Sequence, residues 1–268
     1  MKRPMIAAAV AAAALAAQPA GALAATAISS NWSGYAVTGT TFKSVSGSWT
    51  EPAANCTSTT TSETASAFWV GLGGDSESSN ALEQTGTEAD CAANGTARYW
   101  AWYELVPKAS VRVALAVNAG DRIAANVKVS GTTVTVTLQN LTSGKSFSKT
   151  LTMSSPDTTS AEWIAEAPAA VTAAGEEILP LTDFDTVRFT SATATSTSGH
   201  TGSVSDAAWS ATRIVLESSG NGGPGPGPFG QFARDDSGAT EATPSALAAR
   251  GRAFSVKWSQ VAATQGAV

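Results

Sequence analysis

The sequence predicts an all-β protein, a two-sheet antiparallel β-sandwich of the jelly-roll, concanavalin-like type. Three observations lead there. From about residue 25 onward the chain is a series of short β-branched or aromatic runs, broken by Gly, Ser, Asn and Asp. Residues 127–151, "VKVSGTTVTVTLQNLTSGKSFSKTL", read as successive strands whose turns fall at Ser130–Gly131 and Ser143–Gly144. Roughly 240 residues after an N-terminal leader can bury a large core as one all-β domain.

Taken in order, the runs expected as strands are "SVSGSWTEP", "SAFWVGLGG", "ARYWAWYELVP", "VRVALAV", the triple segment 122–153, "AEWIAEAP", "TVRFTSATA", "ATRIVLES" and "AFSVKW". No internal repeat interrupts them. Before them, Lys2 and Arg3, the apolar run 5–17 and the small-residue site "ALA" at 22–24 read as a secretory signal peptide over residues 1–24. That run is too short to span a bilayer. The expectation is an exported, extracellular protein whose single domain occupies 25–268. The Gly/Pro-rich stretch 218–231, "SSGNGGPGPGPFGQ", is expected as a surface loop, because "AFSVKW" reads as one further strand beyond it.

Charge narrows the partners. Without Lys2 and Arg3 there are 14 basic against 21 acidic residues, a net of −7. That excludes nucleic acid and anionic membrane as expected partners. Only 14% of residues are charged, so much of the surface falls to Ser, Thr, Gly and Asn, which suits work in acid. Cys56 and Cys91 are the only cysteines and lie 35 positions apart. In an exported chain such a pair is expected to be one disulfide, tying the strand that ends near Pro52 to the loop after "LEQTG". Two cysteines and one histidine, without ligand spacing, argue against a zinc site.

Candidate chemistry lies on the apolar strands. His200 is the sole histidine and sits in the polar turn "STSGHTG", which reads as a solvated loop rather than a catalytic base. In "AEWIAE", alternation puts Glu162, Ile164 and Glu166 on one face and Trp163 and Ala165 on the other. A carboxylate rarely turns inward unpaired, so that face is either wet or chemical. In "YWAWYELVP", Trp100, Trp102 and Glu104 share a face like the wall of a groove. Leu82 and Gln84 share a face in "ALEQTG", after which "TG" is expected to turn the chain. Trp69 faces opposite to Phe68 and Val70, with glycines beside it leaving room for a neighbouring chain. These patterns give a cleft with carboxylates, which a glycosidase would also use. A jelly-roll glycoside hydrolase and a non-catalytic sugar-binding sandwich are the alternatives.

Taken together and in order, "NWSGY", "WVGLGG", "LEQTG", "YWAWYELVP", "LQNLTSGKS" and "AEWIAEAP" resemble the glutamic peptidases, the eqolisin or G1 family. The resemblance runs from about Asn31 to Trp258. It implies a two-sheet sandwich and a secreted, acid-active, pepstatin-insensitive endopeptidase acting on protein or peptide substrates with no metal or cofactor; separately, a monomer is expected. It further implies a catalytic dyad of Gln84 and a Glu of "AEWIAE", placed at Glu166 with Glu162 as the reserve for the same role. Trp69, Glu104, Glu88 and Glu162 are implied as residues lining the substrate cleft. Gly73 and Val106 depart from the Asp and Tyr that fungal relatives carry, and because "NWSGY" begins close to the expected signal cleavage, the expectation is that no propeptide intervenes. In the implied reaction, Glu166 with an ordinary pKa near 4.3 takes a proton from the attacking water, while the Gln84 amide donates to the oxyanion.

Overall fold

The computed structural model describes residues 24–56, 62–76, 79–172, 175–218 and 239–260. The expected signal peptide, apart from Ala24, and residues 219–231 of the Gly/Pro-rich stretch lie outside the described residues. The described chain is all β, in eighteen strands. The first six are β1 (Ala25–Ser29), β2 (Trp32–Thr38), β3 (Phe42–Thr50), β4 (Ala67–Leu72), β5 (Leu82–Cys91) and β6 (Ala97–Val106). Then come β7 (Val111–Val113), β8 (Arg122–Ser130), β9 (Thr133–Asn140), β10 (Lys145–Thr152), β11 (Ala161–Glu166) and β12 (Ala169–Thr172). The last are β13 (Gly175–Ile178), β14 (Thr186–Ser196), β15 (Thr201–Ser203), β16 (Ser210–Glu217), β17 (Thr240–Pro244) and β18 (Phe254–Trp258).

Two layers face each other. One runs β16-β2-β11-β4-β5-β6-β7 and the other β10-β9-β8-β3-β14-β18-β17. They join where Leu216 of β16 pairs with Ala242 of β17. Pairing is antiparallel except at β1, which lies parallel on β16. The two expected hairpin turns are present, with Gly131 at φ +59° and Gly144 at φ +71°, a left-handed conformation that glycine adopts without Cβ strain.

Between the layers lies one large core that includes Phe68, Val70 and Trp163 from the first layer and Trp49, Phe189 and Phe254 from the second. Burying each such aromatic contributes roughly 2–3 kcal/mol. Trp163 also pins the layers together, donating its indole N–H to the carbonyl of Ser46 at 2.8 Å. Gly47 makes that approach possible, since a Cβ there would sit 2.9 Å from Trp163 Cδ1.

Three expectations are corrected. "TG" after Gln84 does not turn the chain: β5 continues through Thr85 and Gly86 to Cys91. Cys56 and Cys91 do form a disulfide, with Cα atoms 5.4 Å apart, but Cys91 is the last residue of β5 rather than part of a loop. "VRVALAV" forms a strand only over Val111–Val113, after which Leu115 and Val117 pack into the core from irregular backbone.

Candidate active site

The outer face of the first layer carries a second apolar cluster, with Trp32, Trp69, Leu82, Trp102 and Ile164. The strand register sorts this face into rows. Glu162 lies opposite Gly71, which lies opposite Gln84, which lies opposite Glu104. The next row is Ile164, Trp69, Gly86 and Trp102, and the third is Glu166, Ala67, Glu88 and Trp100. Every position expected to line a cleft therefore falls on one face across four adjacent strands. The alternation responsible is the one seen in the core: Trp163, Ala165, Phe68 and Val70 point the other way.

Gly86 explains why β5 does not need a turn there. A Cβ at that position would lie 2.6 Å from Trp69 Cβ and would also strike the Phe68 carbonyl. At Gly71 a Cβ would meet Trp69 Cζ3 at 2.9 Å. The two glycines thus make the bed in which the Trp69 indole lies. Trp32 closes its other side edge-on, with ring centroids 5.0 Å apart at 76°.

Held in this way, Trp69 donates its indole N–H to Glu166 Oε2 at 2.6 Å, and Asn31 donates its side-chain amide to Oε1 at 3.2 Å. Both carboxylate oxygens thereby have a fixed donor, while the residue as a whole stays partly exposed. Burial pushes the Glu166 carboxyl up to about 8; the Trp69 hydrogen bond opposes the shift and the charge of Glu104 adds to it. Gln84 is 4% exposed and donates its amide nitrogen to Glu104 Oε2 at 2.7 Å. An amide nitrogen carries two protons, so one N–H remains beyond the bond to Glu104. Gln84 lies two strands across and four residues along from Glu166. The electrostatic influence of Glu104 on Glu166 ties the two ends of the site into one environment.

Glu162 is different. It is fully buried, and neither carboxylate oxygen has a hydrogen-bond partner. Burial holds it well above the ordinary carboxyl range; the nearby Ser160 hydroxyl, which completes no hydrogen bond to it, opposes this only in part, and the charges of Asp75, Asp157 and Glu83 reinforce it. Glu88 is partly exposed and pushed up to about 9, first by burial, then by the charges of Asp90 and Glu166, with Arg112 opposing. Beyond Val106, at the strand ends, a cavity of about 890 Å³ opens between Asp75, Lys108, Met153 and Asp157. Among the described residues, no group of three or more His, Cys, Asp or Glu side chains is arranged to hold a metal ion. His200 lies elsewhere, its Nε2 3.0 Å from Asp206 Oδ1 and its ring edge-on to Trp209.

Two contributors to this face escaped the sequence reading. Asn31 reaches Glu166 across 135 positions, and Arg112 stacks on Trp100 with its guanidinium carbon 3.5 Å from the ring centroid. The "NWSGY" motif signalled the first region without assigning a role to its Asn. For Arg112 no signal exists in the sequence, because the contact arises from pairing of β7 with β6.

Comparison with known proteins fits this geometry. The sequence profile of the Peptidase A4 family matches residues 30–221. Aspergillopepsin-2 of Aspergillus niger is 32% identical over 200 residues, covering 67% of this chain and 68% of that protein. Scytalidopepsin B of Scytalidium lignicola is 33% identical over 197 residues, covering 70% and 71% respectively. Among solved structures, scytalido-glutamic peptidase with a transition state analog inhibitor matches with a TM-score of 0.67 and 27% identity, covering 86% of this chain and 98% of that one. An eqolisin-family peptidase in complex with the tripeptide Ala-Ile-His matches with a TM-score of 0.61 at the same identity and coverage.

Proposed function

The chain belongs to the Peptidase A4 family, the glutamic peptidases, and from that premise we propose that Glu166 and Gln84 are its catalytic dyad. The family makes it a hydrolase of peptide bonds, and the two-sheet sandwich is the family's fold. The glycoside hydrolase and sugar-binding alternatives find no support in these relatives.

The observation that carries the dyad assignment is the contrast between the two acids of β11. A general base must touch the water it activates. Glu166 is partly exposed and held by donors from Trp69 and Asn31, whereas both oxygens of Glu162 are sealed from solvent. In this reading ionised Glu166 takes a proton from water as it attacks the substrate carbonyl, and the Gln84 amide N–H donates to the oxyanion. Protonated Glu166 then passes that proton to the leaving amine. Glu104 holds the Gln84 amide in place, Trp69 orients Glu166, and Glu88 and Trp100 line the cleft. Glu162 acts as a buried structural acid beneath it.

Burial places the Glu166 carboxyl above the ordinary value expected for the base. With Glu166 pushed up to about 8, its ionised share falls about tenfold for each pH unit below that value. Activity is therefore proposed to rise with pH through the acid range, along a limb set by Glu166, with its small ionised share supplying the base there. The mature protein is further proposed to be an exported, pepstatin-insensitive monomer whose single domain begins near residue 25. Digestion of denatured casein by the purified protein across a pH series, with and without pepstatin, tests the reading. Hydrolysis that persists with pepstatin is expected; intact casein at every pH overturns it.

A further inference from the structure

We propose that Arg112 and Trp100 form a substrate subsite at one end of the cleft that takes a carboxylate of the peptide. The inference rests on the peptidase reading in taking its occupant to be a peptide. Arg112 sits on the edge strand β7, is exposed, and registers with Trp102, so it belongs to the cleft face. Its guanidinium lies on the Trp100 ring, 3.5 Å from the centroid. Stacking fixes a long side chain without using its N–H donors, which stay free for a forked, bidentate bond to a carboxylate.

Among the described residues, Arg112 forms no ion pair and donates to no protein acceptor, although Arg98 on the same face pairs with Glu63 at 3.8 Å. Beside it the indole N–H of Trp102 is buried and also has no acceptor. The charged groups that feel Arg112 are Glu88 and Asp90 on β5, whose carboxyls its charge pulls down; Glu166 on β11 acts on Glu88, and Arg98 on β6 lies in register with Asp90. Burial leads the upward shift of Glu88 to about 9, of Asp90 to about 7 and of Glu166 to about 8. All three thus carry little negative charge in acid, which leaves the charge of Arg112 largely unopposed there. A peptide carboxylate restores the balance.

Trp100 shares a row with Glu166 three strands away. At about 4.8 Å per strand this is roughly 14 Å, the span of about four extended residues. The subsite therefore reads a position about four residues from the cleaved bond. Its occupant is either an acidic side chain or the peptide's own C-terminal carboxylate.

Matched fluorogenic peptides separate these sources. One series carries cysteic acid, anionic throughout the acid range, or Gln at three to five residues on either side of the cleaved bond. The second varies a free against an amidated C-terminus. KM at pH 5 should be lower for the anionic member by on the order of three- to fivefold, with kcat unaltered. Arg112→Gln should bring that ratio to one and Arg112→Glu should invert it, while Arg188→Gln on the other layer serves as control. Dissociation constants of the same peptides for the Glu166→Gln protein provide a readout that needs no turnover. Equal affinities for anionic and neutral peptides, or a preference that survives Arg112→Gln, overturn the subsite. A protein that cleaves nothing yet binds anionic peptides through Arg112 overturns the peptidase reading and upholds the subsite.

Discussion

The indole N–H of Trp69 donates to Glu166 from the neighbouring strand at 2.6 Å, a bond that orients the carboxyl and opposes the rise that burial imposes on its pKa. Its existence depends on what surrounds it. Gly71 and Gly86 leave the indole its bed, Trp32 backs it, and Asn31 holds the other carboxyl oxygen. A hydrogen bond to the charged form lowers a carboxyl pKa, so Trp69 opposes the upward push of burial.

Trp69→Phe removes the donor and keeps most of the ring. Glu166 then loses a partner that favours its anion, and its pKa rises further. The acid limb of kcat/KM should move to higher pH by about one unit, with kcat at pH 5 falling about tenfold. A pH–rate profile of the variant checks this. An unmoved limb shows that Trp69 only fills space.

Much of the face was legible in the sequence because alternation is a local property. Glu162, Ile164 and Glu166 lie together, as do Trp100, Trp102 and Glu104, and Trp69 opposes Phe68 and Val70. Alternation could not separate Glu162 from Glu166, since residues four apart on a strand share a face. Their difference comes from distant chain: Asp75, Asp157 and Glu83 gather near Glu162, while Asn31 and Trp69 meet Glu166. Gly86 shows the same limit. In isolation "TG" reads as a turn, and only the packed Trp69 of β4 reveals that the glycine serves a close approach in mid-strand.

Stability should be greatest in acid. Glu51 is 1% exposed between the layers, accepting from Trp49 Nε1 at 3.3 Å and from the Thr87 hydroxyl, and burial pushes it up to about 8. Glu83, Asp75, Asp90 and Glu88 are also raised, with burial the leading cause in each. For each, the folded pKa exceeds the unfolded one. The stabilisation is therefore fully present below the unfolded value, about pH 4, and is lost as pH rises through the folded values between about 7 and 9. The lowered pKa of Asp157, where hydrogen bonds from Ser79 and Thr159 outweigh burial, acts oppositely, against the larger number of raised carboxyls among the described residues. Tm should be highest near pH 4 and fall steadily toward pH 8. Glu51→Gln, which keeps a carbonyl acceptor without a charge to bury, should raise Tm at pH 7.5 relative to the parent and flatten the profile. A parent Tm that climbs from pH 4 to 8 contradicts the account.

The Cys56–Cys91 bridge ties the segment after β3 to the end of β5, one of the strands that carry the site. Closing a loop of this length removes unfolded-chain entropy worth roughly 3–4 kcal/mol. The Cys56→Ser, Cys91→Ser double variant should lose about that much in denaturant unfolding, and its Tm should drop by roughly 10 °C. Because Gln84 lies seven residues before Cys91, within the same strand but away from the bridge, the dyad geometry should persist at low temperature. KM measured well below the lowered Tm should therefore match the parent. A variant equally stable to the parent removes the bridge from the list of stabilising features.

The dyad reading is tested by substitutions that separate the roles of three residues. Glu166→Gln keeps the shape and the contacts to Trp69 and Asn31 partly intact while removing the base, so kcat should fall at least about 10²-fold. Gln84→Ala removes the oxyanion donor and should cost on the order of 10²–10³ in kcat. Both act on one transition state, so the double variant should lose far less than the product of the two. Glu162→Gln is the discriminating control. Its carboxyl is fully buried without hydrogen-bond partners, so replacing it with a neutral amide leaves the exposed chemistry in place and acts chiefly on stability above about pH 5. Circular dichroism melts alongside kcat at pH 4 to 5 distinguish the outcomes. If Glu162→Gln abolishes turnover in a fully folded protein while Glu166→Gln retains most of it, the base is Glu162, the acid that shares Gln84's row across Gly71. If neither change affects turnover, a Glu/Gln dyad does not operate in this protein.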